Sequence, residues 1–333
     1  MLDNLGVTFA GFSPLGPIRA TEVARLAADL GYRSYWTAEA SGPESFAVLA
    51  ACGAAAPELD LGTGIVPIQI RSPLLAAMGA ATLQALHPER RILLGVGIST
   101  PPITERWHGV PYGERPVARM AEYLRIVRAL LDGERVSCEG PFWHLRGAQL
   151  GMRLGQQKPQ LVVAALNPKM LRVAGRLADG VLLNYLPANH VPNLVATVRE
   201  AEAAAGRTPG SCRIWAYVHA GVADPEAAVD RARRDIFGYA SAQGYGNMMI
   251  AAGYGDEINE LRAAMASGDR DAAVAAVSQR MIDAIDFVGT PEGVRSYFDA
   301  YAEAGVDEPV LMPLPWGEDR MGVISDTLAA LAG

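Results

Sequence analysis

The chain is predicted to be an α/β protein that folds as a (β/α)8 barrel, with a long loop after strand four and a helical insertion after strand seven. A short, nearly all-apolar run that ends in a small or polar residue recurs about eight times along the 333 residues. Segments with apolar residues at helical spacing separate these runs. Apolar strands separated by helices indicate a parallel sheet covered by helices, because short turns join only antiparallel neighbours. Eight such units predict a closed barrel of the TIM type, for which this length is ample.

The elements follow one another in a regular order. The predicted strands are Leu5 to Phe9, Ser34 to Ala38, Leu59 to Val66, Ile92 to Gly97, Gln160 to Ala165, Gly180 to Asn184, Arg213 to Ala220 and Pro309 to Pro313. The predicted helices between them include Ala20 to Leu30, Leu74 to Leu86, Val117 to Leu131, Met170 to Ala178 and Val191 to Ala204.

Two segments depart from this repeat. Residues 98–158, between strands four and five, carry Trp107, His108 and a helix, followed by Phe142 to His144 near a small hairpin. Long loops on one rim of a barrel are usually functional. Residues 244–286 contain glycine-rich turns that lead into two alanine-rich helical stretches, which predicts the insertion after strand seven.

Composition restricts the class of protein. Residues 1–333 are predicted to form one domain, interrupted by the two segments just described. The formal net charge of -7 argues against nucleic-acid binding, which needs a basic face. The three cysteines are widely spaced and fit a reducing compartment. No leader precedes the first strand and no apolar run is long enough to cross a membrane, so a cytoplasmic protein is expected.

The strand ends, where a barrel of this kind places its active site, are poor in catalytic groups. They offer one carboxylate, Glu39, and the long loop offers one histidine, His108. No Ser-His-Asp arrangement, no paired carboxylates and no cluster with metal-ligand spacing is evident, so no metal site is expected. Such a site suits a cofactor that brings its own reactivity, and hydride transfer is the natural reaction.

Several segments together resemble the luciferase-like monooxygenase family, which is the bacterial luciferase-like superfamily, and especially its branch of oxidoreductases that use the deazaflavin coenzyme F420. The matching segments occur in the family's order along almost the whole chain. They are Trp36-Thr37-Ala38-Glu39-Ala40, Leu61-Gly62-Thr63-Gly64-Ile65-Val66-Pro67, Leu94-Gly95-Val96-Gly97, Trp107-His108-Gly109, Ala178-Asp179-Gly180 and Val288-Gly289-Thr290-Pro291-Glu292.

The resemblance implies a cofactor site at the ends of strands three to five. Gly64-Ile65 would form a bulge with a cis peptide against the middle ring of the deazaflavin, whereas the alternative is an ordinary strand ending in glycine. A helix start following Ala165 would hold the cofactor's phosphate on its backbone amides. The other cofactor-binding residues that the resemblance implies are Thr37, Thr63, Gly97, Ser99, Leu166, Asn167 and Pro168.

Two residues are candidates for moving a proton during hydride transfer. Glu39 stands where many relatives carry histidine, and it could orient the cofactor, transfer the proton or serve a structural role. His108 is the rival donor, because its loop would fold over the ring. The predicted substrate walls are apolar or aromatic and suggest a neutral or hydrophobic small molecule; they are Phe12, Trp107, Tyr185 and Trp316.

Three functions remain open at this stage. The first is hydride transfer between F420 and a small organic substrate. The second is an FMN-dependent monooxygenase of the same fold, and the third is a member that binds a flavin or another ligand without turning it over. Relatives are commonly homodimers, and the apolar helices Phe46 to Ala56 and Leu74 to Leu86 are candidate interface surfaces, although helix faces buried within one monomer would look the same.

Overall fold

The predicted barrel is present. A computed structural model describes residues 4–332. Eight parallel strands follow one another around the barrel, and pairing of the seventh with the eighth and of the eighth with the first closes it. In chain order the eight strands are β1 (Gly6–Thr8), β2 (Ser34–Thr37), β3 (Asp60–Thr63), β5 (Ile92–Gly97), β8 (Gln160–Ala164), β9 (Gly180–Leu183), β10 (Arg213–Val222) and β12 (Glu308–Pro313).

Four shorter strands lie outside this set of eight. They are β4 (Val66–Pro67), which pairs with the end of β5, the antiparallel hairpin β6 (Val136–Glu139) and β7 (His144–Ala148), and β11 (Asp286–Gly289), which pairs with the end of β10. The hairpin lies where the sequence predicts one.

The barrel interior is packed with large side chains from most of the strands. Trp36 and Trp215 lie with ring centroids 5.9 Å apart, and both are fully buried. Glycine at position 62 makes room for them, because a Cβ there would overlap the indole of Trp36. The remaining interior side chains are Leu93, Val162, Leu182, Tyr217, Val310 and Met312. The interior is therefore a core rather than a channel, and a ligand must bind at the open end.

Helices cover the outer face of the barrel and bury their apolar sides against it. Many begin with proline in the first turn, and Thr290 caps one of them directly before Pro291, as predicted. The helices are α1 (Pro17–Asp29), α2 (Ser45–Ala55), α3 (Pro73–Leu86), α4 (Pro116–Leu131), α5 (Pro168–Leu177), α6 (Val191–Ala204), α7 (Pro225–Ala240), α8 (Gln243–Ala251), α9 (Gly255–Ser267), α10 (Arg270–Ala275), α11 (Gln279–Ile285), α12 (Pro291–Glu303) and α13 (Arg320–Leu331).

The insertion after strand seven is more divided than the sequence predicts. Four helices, α8 to α11, occupy the region for which two alanine-rich stretches were expected. Gly253 and Gly268 adopt positive φ angles of 99° and 81°, a conformation that ends a helix and that alanine disfavours. The insertion follows α7 and returns through β11, which places it beside the open end of the barrel.

Two further expectations concern the whole chain. Within residues 4–332, no helix combines the length and the apolar character that crossing a membrane requires. The three cysteine thiols are free in the structure, and those of Cys52 and Cys212 are buried.

Candidate functional site at the barrel mouth

The barrel mouth, meaning the end formed by the carboxyl termini of the eight strands, is organised around a bulge after β3. The peptide bond between Gly64 and Ile65 is cis, as the resemblance implies. The amide of Gly64 donates to the carbonyl of Thr37 at 2.5 Å, and the amide of Glu39 donates to the carbonyl of Ile65 at 3.0 Å. The loops after the second and third strands are thus joined by backbone hydrogen bonds on both sides of the bulge.

A tyrosine from the opposite side of the barrel supports this bulge from below. The Tyr217 hydroxyl donates to the carbonyl of Gly64 at 3.0 Å, and it accepts a hydrogen bond from Thr8 Oγ1 at 3.2 Å. Burial raises the pKa of Tyr217 well above its usual value, which keeps the hydroxyl protonated and able to donate. No sequence pattern near Gly64 predicts this contact, since Tyr217 lies on strand β10.

Glu39 is held in a two-pronged ion pair. Arg71 Nε donates to Glu39 Oε2 at 2.6 Å and Arg71 Nη2 donates to Oε1 at 2.6 Å, while Arg71 also contacts Glu44. The hydrogen bond to Glu39 is the largest cause that raises the pKa of Arg71. Because one guanidinium engages both carboxylate oxygens, the side chain of Glu39 is held in a fixed orientation.

His108 reaches the same region from the long loop. Its Nε2 lies 2.5 Å from the carbonyl of Ala40, so Nε2 carries the hydrogen and donates it. A turn of π-helix at Pro102–Trp107 precedes it, and both Trp107 and His108 are exposed. His108 therefore contacts the residue that follows Glu39 in the chain, and both side chains lie on one side of the mouth.

The predicted cofactor-lining residues divide into two groups. The side chains of Thr37 and Thr63 are buried. Thr63 Oγ1 donates to the carbonyl of Gly95 at 2.8 Å and Thr37 Oγ1 donates to the carbonyl of Ser45 at 3.5 Å, so both hydroxyls stabilise the barrel itself. Gly97 and Ser99 lie beside the bulge. A Cβ on Gly97 would lie 2.7 Å from Ile65 Cγ1, and the backbone amide of the half-buried Ser99 donates to Gln69 Oε1 at 3.5 Å.

The predicted phosphate site is the start of α5. Ala165 is buried, Leu166 and Asn167 are half-buried, and the helix begins at Pro168 without a side-chain cap. Instead of capping the helix, Asn167 Nδ2 donates to the carbonyl of Gly244 at 3.2 Å. Helix α8 starts at the neighbouring Gln243, also without a side-chain cap. Two helix starts without a side-chain cap therefore meet at this point. In α5, Pro168 has no N–H. The amide of Met170 donates to the carbonyl of Asn167, so the Lys169 amide is the first-turn donor that could face an anion.

The predicted substrate walls are not brought together as one open surface. Phe12 is fully buried, with its ring edge-on to Phe9 at 5.0 Å. Tyr185 is also buried, stacked on Tyr239 at 3.6 Å. Trp107 is 60% exposed, and Trp316 is half-buried. Only the two tryptophans keep surface that a substrate could contact in this conformation.

Known proteins resemble this chain along most of its length. The luciferase-like monooxygenase family matches residues 12–308, so the chain belongs to this family, as the motifs predict. It is 27% identical over 328 residues to a putative coenzyme F420-dependent oxidoreductase of Mycobacterium tuberculosis, covering 91% of this chain and 93% of that one. It is also 27% identical over 305 residues to a 5,10-methylenetetrahydromethanopterin reductase of Archaeoglobus fulgidus, with 89% of each chain covered.

Solved structures show the same architecture. The coenzyme F420 dependent tetrahydromethanopterin reductase from Methanopyrus kandleri superposes with a TM-score of 0.79 at 22% identity, covering 99% of this chain and 97% of that one. An F420-dependent secondary alcohol dehydrogenase, in complex with an F420-acetone adduct, gives a TM-score of 0.78 at 17% identity, covering 99% and 98%. These similarities confirm the predicted fold.

Proposed function

We propose that this protein is an oxidoreductase that uses coenzyme F420, and that hydride passes between the cofactor and a small, neutral or hydrophobic organic molecule. The observation that carries the proposal is the pair of uncapped helix starts at Asn167 and Gly244, beside a mouth organised by the Gly64-Ile65 bulge. Relatives that cover most of the chain and are named for F420-dependent reactions support this choice of cofactor.

The residues at the start of α5 fit the phosphate end of the cofactor. The amides there have no side-chain cap, the positive end of the helix dipole points outward, and Lys169 is exposed in the first turn. Asn167 connects this helix to α8 and thereby fixes the separation of the two helix starts. A phosphate bound here would contact backbone donors that belong to both the barrel and the insertion.

The residues around the bulge fit the ring end. The contacts of Tyr217 and Thr37 hold Gly64 from two sides, so the bulge offers a fixed surface to a planar group. Glycine at position 97 leaves space for the Ile65 side chain beside the bulge. When bound, F420 supplies hydride exchange at the C5 carbon of its ring, and the chain supplies position, exclusion of water and the accompanying proton.

His108 is the group that we assign to the proton, and Glu39 is the group that orients. Both carboxylate oxygens of Glu39 are occupied by Arg71. The His108 ring donates through Nε2 to Ala40, which leaves Nδ1 available to accept a proton on the exposed side of the loop.

The charge around the mouth favours an uncharged substrate. Arg71 forms ion pairs with both Glu39 and Glu44 at this side of the mouth. A phosphate or carboxylate on the substrate would have to compete with these pairs. Trp107 and Trp316 offer aromatic surface instead.

The test is a screen for F420 turnover. Oxidised F420 is mixed with small alcohols and reduced F420 with aldehydes and ketones, and the absorbance of the oxidised cofactor is followed. His108→Gln is expected to lower turnover with F420 affinity unchanged, whereas Glu39→Gln is expected to weaken F420 binding more than turnover at saturating cofactor. Failure of every substrate class with F420, together with oxygen consumption in the presence of reduced FMN, would replace this proposal with the monooxygenase function.

The assembly that we propose is a homodimer formed through α2 and α3. Helix α3 exposes Leu75, Met78 and Leu86, which are 45%, 49% and 59% accessible. Apolar side chains of this size on one helix face are typical of a protein interface.

A further inference from the structure

Three side chains able to bind a metal ion converge under the helical insertion, outside the site proposed above. They are His219 on β10, Asp235 on α7 and Asp286 at the start of β11. One ligand atom from each lies within 4.8 Å of the others. His219 is 1% exposed, Asp286 is 0% exposed and Asp235 is half-buried.

This cluster contains a buried carboxylate oxygen that no neighbouring side chain or backbone group in the described part of the chain satisfies. Asp286 Oδ2 has no hydrogen-bond partner among residues 4–332, although the side chain is fully buried. Burial raises the pKa of Asp286 to about 6, and the ionisable groups that act on it are His219, which lowers the pKa, and Asp235, which raises it. A buried carboxylate oxygen without a partner is unfavourable unless a cation or a proton compensates it.

Hydrogen bonds around His219 fix which ring nitrogen is free to bind. Asn184 Oδ1 accepts from the amide of Tyr185 at 3.0 Å, which identifies that side-chain atom as the oxygen. The same oxygen lies 2.8 Å from His219 Nε2, so Nε2 carries a hydrogen and donates it. In the neutral ring Nδ1 then has the lone pair, and Nδ1 faces Asp286 Oδ1 at 2.9 Å. Histidines that bind metals commonly donate their other N–H to an acceptor in this way.

The second carboxylate is oriented as well. The Tyr185 hydroxyl donates to Asp235 Oδ2 at 2.6 Å. Tyr185 adopts a left-handed backbone with φ of 50°, and stacking on Tyr239 holds its ring in place. A residue other than glycine occupies this region only when its surroundings stabilise it, so the orientation of Asp235 is built into the fold.

We propose that His219, Asp235 and Asp286 bind a divalent transition-metal ion, with Zn²⁺ or Mn²⁺ as the best matched. One imidazole nitrogen with two carboxylates is a donor set suited to these ions. The 2.9 Å between Nδ1 and Oδ1 agrees with the separation of about 3 Å between adjacent ligands around an ion with bonds of about 2.1 Å. Without the ion, one hydrogen lies between His219 Nδ1 and Asp286 Oδ1. Binding of the ion displaces this hydrogen, which leaves to solvent as a proton.

The structure also has a small cavity beside this position. A cavity of ≈ 40 Å³ between α7, α11 and β11 borders Asp286 and is lined in part by Gln279 and Asp283. This volume is enough for a water molecule, which could complete the coordination of the ion. Because the three ligands come from β10, from α7 and from the start of β11, a bound ion would tie α7 and the end of the insertion to a barrel strand.

The test uses the full chain after treatment with a chelator. Zn²⁺ and Mn²⁺ are titrated by calorimetry, and thermal unfolding is recorded with and without each ion. We expect one ion per chain, micromolar or tighter affinity for at least one of them, and a higher unfolding temperature in its presence. No binding at a ratio of one per chain for either ion would overturn the proposal.

Variants locate the ion. Asp286→Asn and Asp235→Asn are each expected to weaken binding at least tenfold. Asp230→Asn is the matched control, because Asp230 lies on the same helix with a side chain that is 79% exposed, and it should bind as the parent does. Equal affinity in Asp235→Asn and Asp230→Asn would contradict the assignment. If Asp286→Asn fails to fold, Co²⁺ added to the parent chain provides a second measurement, and absence of the visible bands of a bound cobalt ion would count against the site.

Discussion

Replacing Tyr217 with phenylalanine tests the support of the bulge with a change of one hydroxyl. That hydroxyl donates to the carbonyl of Gly64 at 3.0 Å and accepts from Thr8 Oγ1 at 3.2 Å. Thr8 Oγ1 keeps a second acceptor, the carbonyl of Trp36 at 3.3 Å, so the half-buried Gly64 carbonyl bears most of the loss. An unsatisfied buried acceptor costs about 1 to 3 kcal/mol, and because Gly64 is only half-buried we expect the free energy of unfolding to fall by about 1 kcal/mol.

The same change should weaken F420 binding, because the bulge loses a contact that fixes its position. We expect about a tenfold increase in the dissociation constant, which corresponds to about 1.4 kcal/mol. Tyr32→Phe is the matched control, since the Tyr32 hydroxyl is also buried and donates to the carbonyl of Leu328 at 3.0 Å. Urea unfolding measures stability and fluorescence titration measures F420 affinity for both variants. The reasoning is refuted if Tyr217→Phe loses stability but binds F420 as tightly as Tyr32→Phe.

Three further predictions follow from other contacts. Gly97→Val is expected to weaken F420 binding at least tenfold in the same titration, because its Cβ would lie 2.7 Å from Ile65 Cγ1; unchanged affinity would show that the bulge does not contact the cofactor. Arg71→Met leaves the largely buried Glu39 without its ion pair and should lower the free energy of unfolding by about 1 to 3 kcal/mol, more than Arg71→Lys does; equal urea midpoints for the two would contradict this. Met78→Glu should convert the proposed dimer to a monomer in sedimentation experiments, and a dimer that persists would exclude α3 from the interface.

The sequence predicts those parts of the fold that depend on neighbouring residues. Each barrel strand lies within a few residues of its predicted position, because apolar runs that end in glycine or polar residues recur at regular intervals. The cap at Thr290 is similarly local. The bulge at Gly64 was implied by resemblance to a family rather than by its spacing, and the structure has it.

Contacts across the barrel were outside the reach of the sequence pattern. The partner of the Gly64 carbonyl is Tyr217, and only closure of the barrel brings the two together. The ion pair joins Glu39, in the loop after β2, to Arg71, in the segment before α3. Elements α2, β3 and β4 separate the two residues in sequence, and the only sequence signal was a lone arginine shortly after strand three.

The cluster of His219, Asp235 and Asp286 was also outside the reach of the sequence pattern. The expectation of no metal site rested on ligand spacing along the chain. His219, Asp235 and Asp286 lie on a strand, a helix and a second strand, and the pairing of β10 with β11 in register is what places two of them side by side. A short-range motif could not have revealed them.

The most direct test of the proposed function is a fluorescence titration of the cofactor-free protein with F420 and, in parallel, with FMN. The account predicts micromolar or tighter binding of F420 with much weaker binding of FMN. It also predicts that Asn167→Trp, which removes the hydrogen bond to Gly244 and fills the space before α5, weakens F420 binding. Tighter binding of FMN than of F420, or binding of F420 that Asn167→Trp does not change, would contradict it.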